Sequence, residues 1–104
     1  MRNINEVLVD MLKADKELRL LHIKEAITSL MHGDTRTGLL MLRNLVNATC
    51  GFSELEKALG KNSKSLMRML SLEGNPETDN IFKIINHLVE QEGWDIAVVG
   101  KQAA

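Results

Sequence analysis

The chain has 104 residues, enough for one compact domain and too few for two ordinary ones. With 44% hydrophobic and 26% charged residues it reads as a soluble globular protein, and 13 Lys plus Arg against 14 Asp plus Glu exclude a polybasic coat or a strongly acidic tail. One cysteine, Cys50, excludes an internal disulfide or a cysteine zinc cluster and favours a reducing cytoplasm, and aromatics at 3% leave little for base-stacking platforms.

Taken in chain order, Ile4, Val7, Leu8, Met11 and Leu12 recur at helical spacing and predict a first helix over residues 3–12. The stretch lacks the basic start and long apolar run of a signal peptide, and no later run is apolar enough to cross a membrane. Asp15 is placed to cap a second helix, in which Leu20, Ile23, Ile27, Leu30 and Met31 form one apolar stripe and which Gly33 ends. Asp34 is placed to cap a third over residues 35–48, with Leu39, Leu42, Leu45 and Val46 on its inner face.

Residues 52–59 and 63–72 read as two short helices joined by Gly60, Lys61 and Asn62. Gly60 suits the left-handed position that stops one helix, and the Asn62 side-chain oxygen can cap the next. So tight a turn requires a steep crossing, the helix-turn-helix arrangement, over residues 51–72. After Gly74, Asn75 and Pro76, Asp79 is placed to cap a sixth helix over residues 80–91, with Ile81, Phe82, Ile84, Ile85, Leu88 and Val89 on a broad apolar face. Beyond Gly93 the period becomes two: Trp94, Ile96 and Val98 alternate with Asp95, Ala97 and Val99, which predicts a short β-strand over residues 94–99. The expected fold is therefore mainly α, about six helices with a helix-turn-helix and one closing strand, in a single domain over residues 1–104. A lone strand leaves its backbone groups unpaired, so pairing with a second subunit in a homodimer is expected.

At about 100° per residue, Ser63, Lys64, Met67, Arg68 and Ser71 fill one sector of the second short helix, while Leu66 and Leu70 would pack inward against Leu55 and Leu59. An apolar back that fixes the helix angle and donors on the front are what a helix in the major groove needs. The charges agree: Lys57, Lys61, Lys64 and Arg68 lie between Lys57 and Leu72 with no acidic residue among them. From Glu73 onward the balance reverses, with Glu73, Glu77, Asp79, Glu90, Glu92 and Asp95 against Lys83 and Lys101. An amphipathic helix with a solvated basic side is the bland alternative.

The run GFSELEKALGKNSKSLMRMLS over residues 51–71, the exit Gly74, Asn75, Pro76, the following IFKIINHL and the closing WDIAVV resemble the addiction-module antidote proteins. These are HigA-like antitoxins of the Xre, phage-repressor-type superfamily with a lambda-repressor-like helix-turn-helix. The upstream frame from Leu12 to Asp15 and from His32 to Asp34 is similar too, so the resemblance spans roughly residues 10–100. It implies that Gly51, Phe52 and Ser53 approach a phosphate, that Asn62, Ser63, Lys64, Met67 and Arg68 face base edges or flanking phosphates, and that Lys57 and Lys61 add phosphate contacts, with Lys64 and Arg68 dominant. It also implies a palindromic double-stranded DNA operator and a small RelE-like ribonuclease toxin as partners. Glu56 and Lys61 depart from the family pattern, which usually has Ala and then Leu or Val at these places. Glu56 is expected to reach Lys61 or solvent.

His22, His32 and His87 share no ligand spacing, and Cys50 has no neighbouring base, so structural roles are expected for them. Met31 and Met69 sit at core spacing, and Glu90 and Glu92 read as a solvated helix end. No phosphate loop or triad spacing is present, and neither an enzyme, a cofactor nor a small-molecule substrate is expected. The expectation is a cytoplasmic DNA-binding antitoxin that represses its own operon. The alternatives are a DNA-free helical adaptor or inhibitor, or a stand-alone phage-type repressor.

Overall fold

In the computed structural model, which describes residues 2–104, side-chain caps decide where the first three helices begin. Asn3 accepts the Glu6 N–H at 2.9 Å and starts α1 (Ile4–Ala14). Asp15, in extended backbone, ends α1 and accepts the Leu18 N–H at 3.1 Å to start α2 (Lys16–Met31). Asp34 accepts the Thr37 N–H at 3.3 Å and starts α3 (Thr35–Ala48). Each oxygen satisfies one of the donors that a helix start leaves without an internal partner. Then follow α4 (Gly51–Leu59), α5 (Ser63–Met69) and α6 (Thr78–Glu92).

Helices α2 and α3 make the most extensive contact in the fold, and α1 packs mainly on α3. Gly38 lets α2 and α3 come close: a Cβ there would stand 2.6 Å from Leu30 Cγ and 3.1 Å from the Ala26 carbonyl oxygen. Leu12, Ile23, Leu42, Val46, Leu55, Leu66, Leu70 and Ile84 are sealed from solvent in one core to which every helix contributes. The predicted inner face of α3, Leu39, Leu42, Leu45 and Val46, is buried throughout. The stripes of α1 and α2 are buried only in part. Ile4, Val7 and Met11 lie outside on α1, and Met31, expected in the core, is 63% exposed.

Two expected boundaries beside the α4–α5 turn and its exit move, and one expected element is absent. Helix α5 ends at Met69 instead of running to residue 72, because the Ser71 N–H and hydroxyl both turn back onto the Arg68 carbonyl, at 3.1 and 2.7 Å. A serine hydroxyl that serves the last carbonyls competes with another helical turn. Helix α6 begins two residues early, after Glu77, with no side-chain cap, and Asp79 sits inside its first turn, 3.8 Å from Lys83. The strand over residues 94–99 is not formed. Among the described residues the fold has helices and no strand, since no second extended segment lies beside this one to build a ladder. Instead the Trp94 N–H closes α6 on the Val89 carbonyl, and Trp94 and Ile96 lean on the core as an extended arm.

Candidate nucleic-acid interface

The α4–α5 pair is built around its turn. Gly60 has φ +67° and ψ 28°, the left-handed conformation in which a glycine carries no Cβ penalty, and its N–H donates to the Glu56 carbonyl at 2.8 Å. Asn62 Oδ1 accepts from the Lys64 N–H at 2.8 Å and the Ser65 N–H at 3.4 Å, and so starts α5 as its position predicts. Leu66 and Leu70 turn into the core with Phe52 and Leu55, which fixes the α5 face that remains outside.

Glu56 departs from expectation. Its carboxylate makes no ion pair with Lys61; from a half-buried position it crosses the turn to α5, where it accepts from the Ser63 N–H at 2.6 Å and the Ser63 hydroxyl at 2.8 Å. These two bonds stabilise the charged form and hold the carboxyl below the usual carboxylate range, with the Lys57 charge adding to the same effect. The helix start, normally served from within its own chain segment, is here also served from the neighbouring helix. Glu56 to Ser63 is a seven-residue spacing that spans a glycine turn, a pattern without a local motif to flag it.

The candidate residues divide into those facing out and those engaged within the chain. Ser53, Lys57, Lys64, Met67 and Arg68 are exposed and Lys61 is half-buried. Among the described residues, Lys57, Lys61, Lys64 and Arg68 enter no ion pair, whereas Arg2, Lys13, Arg19 and Lys83 do. Phe52 is buried, so only its backbone is at the helix start and its ring belongs to the core. The Asn62 oxygen is committed to the cap, the Ser63 hydroxyl to Glu56, and the Ser71 hydroxyl to the Arg68 carbonyl.

Elsewhere, Glu92 is not at a solvated helix end. It takes the Arg19 guanidinium through Nε at 2.9 Å and Nη2 at 3.2 Å, with both side chains largely enclosed. Burial pushes the Cys50 thiol up, which keeps it protonated and unreactive. Among the described residues no three His, Cys, Asp or Glu side chains gather as a metal-binding group, and no helix is long and apolar enough to cross a membrane. Compared with known protein families, with curated proteins and with solved structures, the chain finds no match.

Proposed function

We propose that the chain is a helix-turn-helix DNA-binding regulator of the antitoxin type, which sets α5 in the major groove of a palindromic operator as a homodimer and neutralises a RelE-like toxin. The observation that supports this reading is the unpaired basic face of α4 and α5. Four cations without internal anions lie around a short helix whose back is anchored in the core by Leu66 and Leu70. Cations that no internal carboxylate neutralises hold a local field for a polyanion even when the net charge is −1. The resemblance of residues 51–71 and of the exit Gly74, Asn75 and Pro76 to HigA-like antitoxins supplies the operator and the toxin as partners.

In this reading Lys64 and Arg68 reach base edges or flanking phosphates, Lys57 and Lys61 hold phosphates, and Met67 offers an adaptable apolar contact. Glu56 and Asn62 hold the start of α5 so that its angle is set before DNA arrives. A gel shift with the DNA upstream of the gene, run at two salt concentrations, is the test. Lys64→Ala and Arg68→Ala should each weaken binding and lower the log–log salt slope by about one unit for every phosphate no longer held. Unchanged affinity and slope in both variants would overturn the reading.

One observation favours a second reading, a DNA-free adaptor or inhibitor. The Asn62 oxygen and the Ser63 and Ser71 hydroxyls are committed within the chain, which leaves few groups to read bases. The same gel shift separates the two, since an adaptor shows no salt-dependent shift on any fragment.

A further inference from the structure

We propose that residues 94–101 pair antiparallel with the same residues of a second copy of this chain, about a two-fold axis at Val98. The arm is extended, with Trp94 and Ile96 half-buried against the helices and Asp95 and Ala97 turned out. From Asp95 onward no backbone N–H or C=O is hydrogen-bonded to another described residue. Such a row of unpaired donors and acceptors is a template for a further strand. Beside it lies a groove of about 460 Å³ between α2 and α6, lined almost wholly by apolar side chains, among them Met31, Ile81, Phe82 and Val98. Met31, Phe82 and Val98 are each 60% exposed or more, so the groove leaves apolar side chains open to a partner.

The sequence of the arm selects a second copy as the occupant. An antiparallel pair centred on Val98 sets residues whose numbers sum to 196 opposite each other, so Asp95 faces Lys101 of the partner subunit and Lys101 faces Asp95 of the partner subunit. Facing residues then have the same parity and point to the same side of the ribbon. In a regular ribbon Asp95 and Lys101, both exposed, share one face and Ile96 and Val98 the other, with Lys101 at the rim of a groove that also takes in Lys24 and Thr28 of α2. Centring the pair on Ala97 would put Asp95 opposite Val99 and forfeit both charge pairs. The charge pattern therefore specifies the register as well as the partner, and the ribbon continues the apolar cover over Met31 and Phe82 from one subunit to the next.

This gives the interface for the dimer proposed above but does not depend on DNA binding, so its test reads molecular mass alone. Sedimentation equilibrium of the full chain across the micromolar range is expected to show a reversible monomer–dimer equilibrium. Asp95→Lys and Lys101→Asp each place like charges opposite one another at both ends of the ribbon, and each should raise the dimer dissociation constant by about tenfold. An equimolar mixture of the two variants places opposite charges at both ends again and should restore association, as should the double variant. Both positions are exposed, and circular dichroism checks that each variant keeps its helices. A chain that stays monomeric throughout overturns the proposal, including the case in which the arm serves a different protein. So does a dimer indifferent to both charge reversals, or one that the mixture fails to restore. A monomer that still shifted operator DNA would remove this interface and the homodimer with it, and leave only DNA recognition by α5 standing.

Discussion

The Glu56 carboxylate of α4 accepts both the backbone N–H and the hydroxyl of Ser63, the first residue of α5, at 2.6 and 2.8 Å. It thereby ties two helices that share only a three-residue turn. Its folded-state pKa lies below the unfolded value of about 4.3. The stabilisation is therefore present above that unfolded value and is lost as pH falls through the lower folded one. Glu56→Gln keeps an acceptor but removes the charge, so it should lower the melting temperature at neutral pH and flatten the acid side of the stability profile. Glu56→Ala leaves the Ser63 N–H to water and should lower the melting temperature further. Thermal melts from about pH 7 to pH 3 check this, and an acid limb identical in the wild-type and Gln chains would count against the ionised bridge.

At the turn itself, Gly60 adopts φ +67°, and a Cβ at this position would meet nothing within 4 Å, so conformation and not space decides what fits there. Gly60→Ala should cost about 1–2 kcal/mol, the ordinary penalty of a left-handed L-residue. Gly60→Asn should cost less, since a short polar side chain tolerates that region. Urea midpoints at unchanged m-value give both numbers, and equal losses for Ala and Asn would mean that a contact, not the φ angle, is responsible.

What the sequence makes legible is what depends on neighbours along the chain. Asp15, Asp34 and Asn62 act within three residues of themselves, and Gly60 stops the helix that immediately precedes it. The inner face of α3 also follows from spacing alone, because that helix is covered by others. Periodicity states which face is apolar but not whether anything covers it, which is why Met31 and Phe82 carry core spacing and stand exposed. The alternation over residues 94–99 predicts a strand, but a strand needs a partner as well as a pattern, and among the described residues the arm has none. At the candidate interface the basic residues are legible as a charge island. The engagement of Ser63 by Glu56 depends on the angle between α4 and α5, and the bond from Arg19 to Glu92 joins residues 73 apart.

That Arg19–Glu92 pair makes a sharp stability prediction. Besides its two bonds to Glu92, the guanidinium donates through Nη1 to the carbonyls of Leu12 at 2.9 Å and Lys13 at 3.2 Å, so it joins the end of α1, the start of α2 and the end of α6. The side chains are 15% and 13% exposed, which leaves some solvent screening. Removing one partner should therefore cost about 1–3 kcal/mol, less than a fully buried pair. Arg19→Lys should recover little, because an ammonium cannot reproduce the fork that meets Glu92 and two carbonyls together. A double-mutant cycle with Arg19→Met and Glu92→Leu should show a coupling of at least about 1 kcal/mol, and additive losses would mean that the two side chains act independently.

His22 supplies a second acid-sensitive group, nearer neutrality than Glu56. It is buried in α2 and its Nε2 has no hydrogen-bond partner. Desolvation pushes its pKa below the usual imidazole value, against a smaller upward pull from Glu25. Because the folded value lies below the unfolded one of about 6.5, the neutral ring is compatible with the fold above that pH, and stability is lost as the pH falls toward the lower folded value. His22→Leu removes the proton site and the unpartnered nitrogen, so it should be neutral or stabilising at pH 7 and should make stability flatter as the pH falls below about 6.5. Urea midpoints at about pH 7.5, 6.5 and 5.5 separate this loss from that of Glu56, which sets in at lower pH. An equally steep decline in the Leu variant over that interval would assign the acid sensitivity to another group.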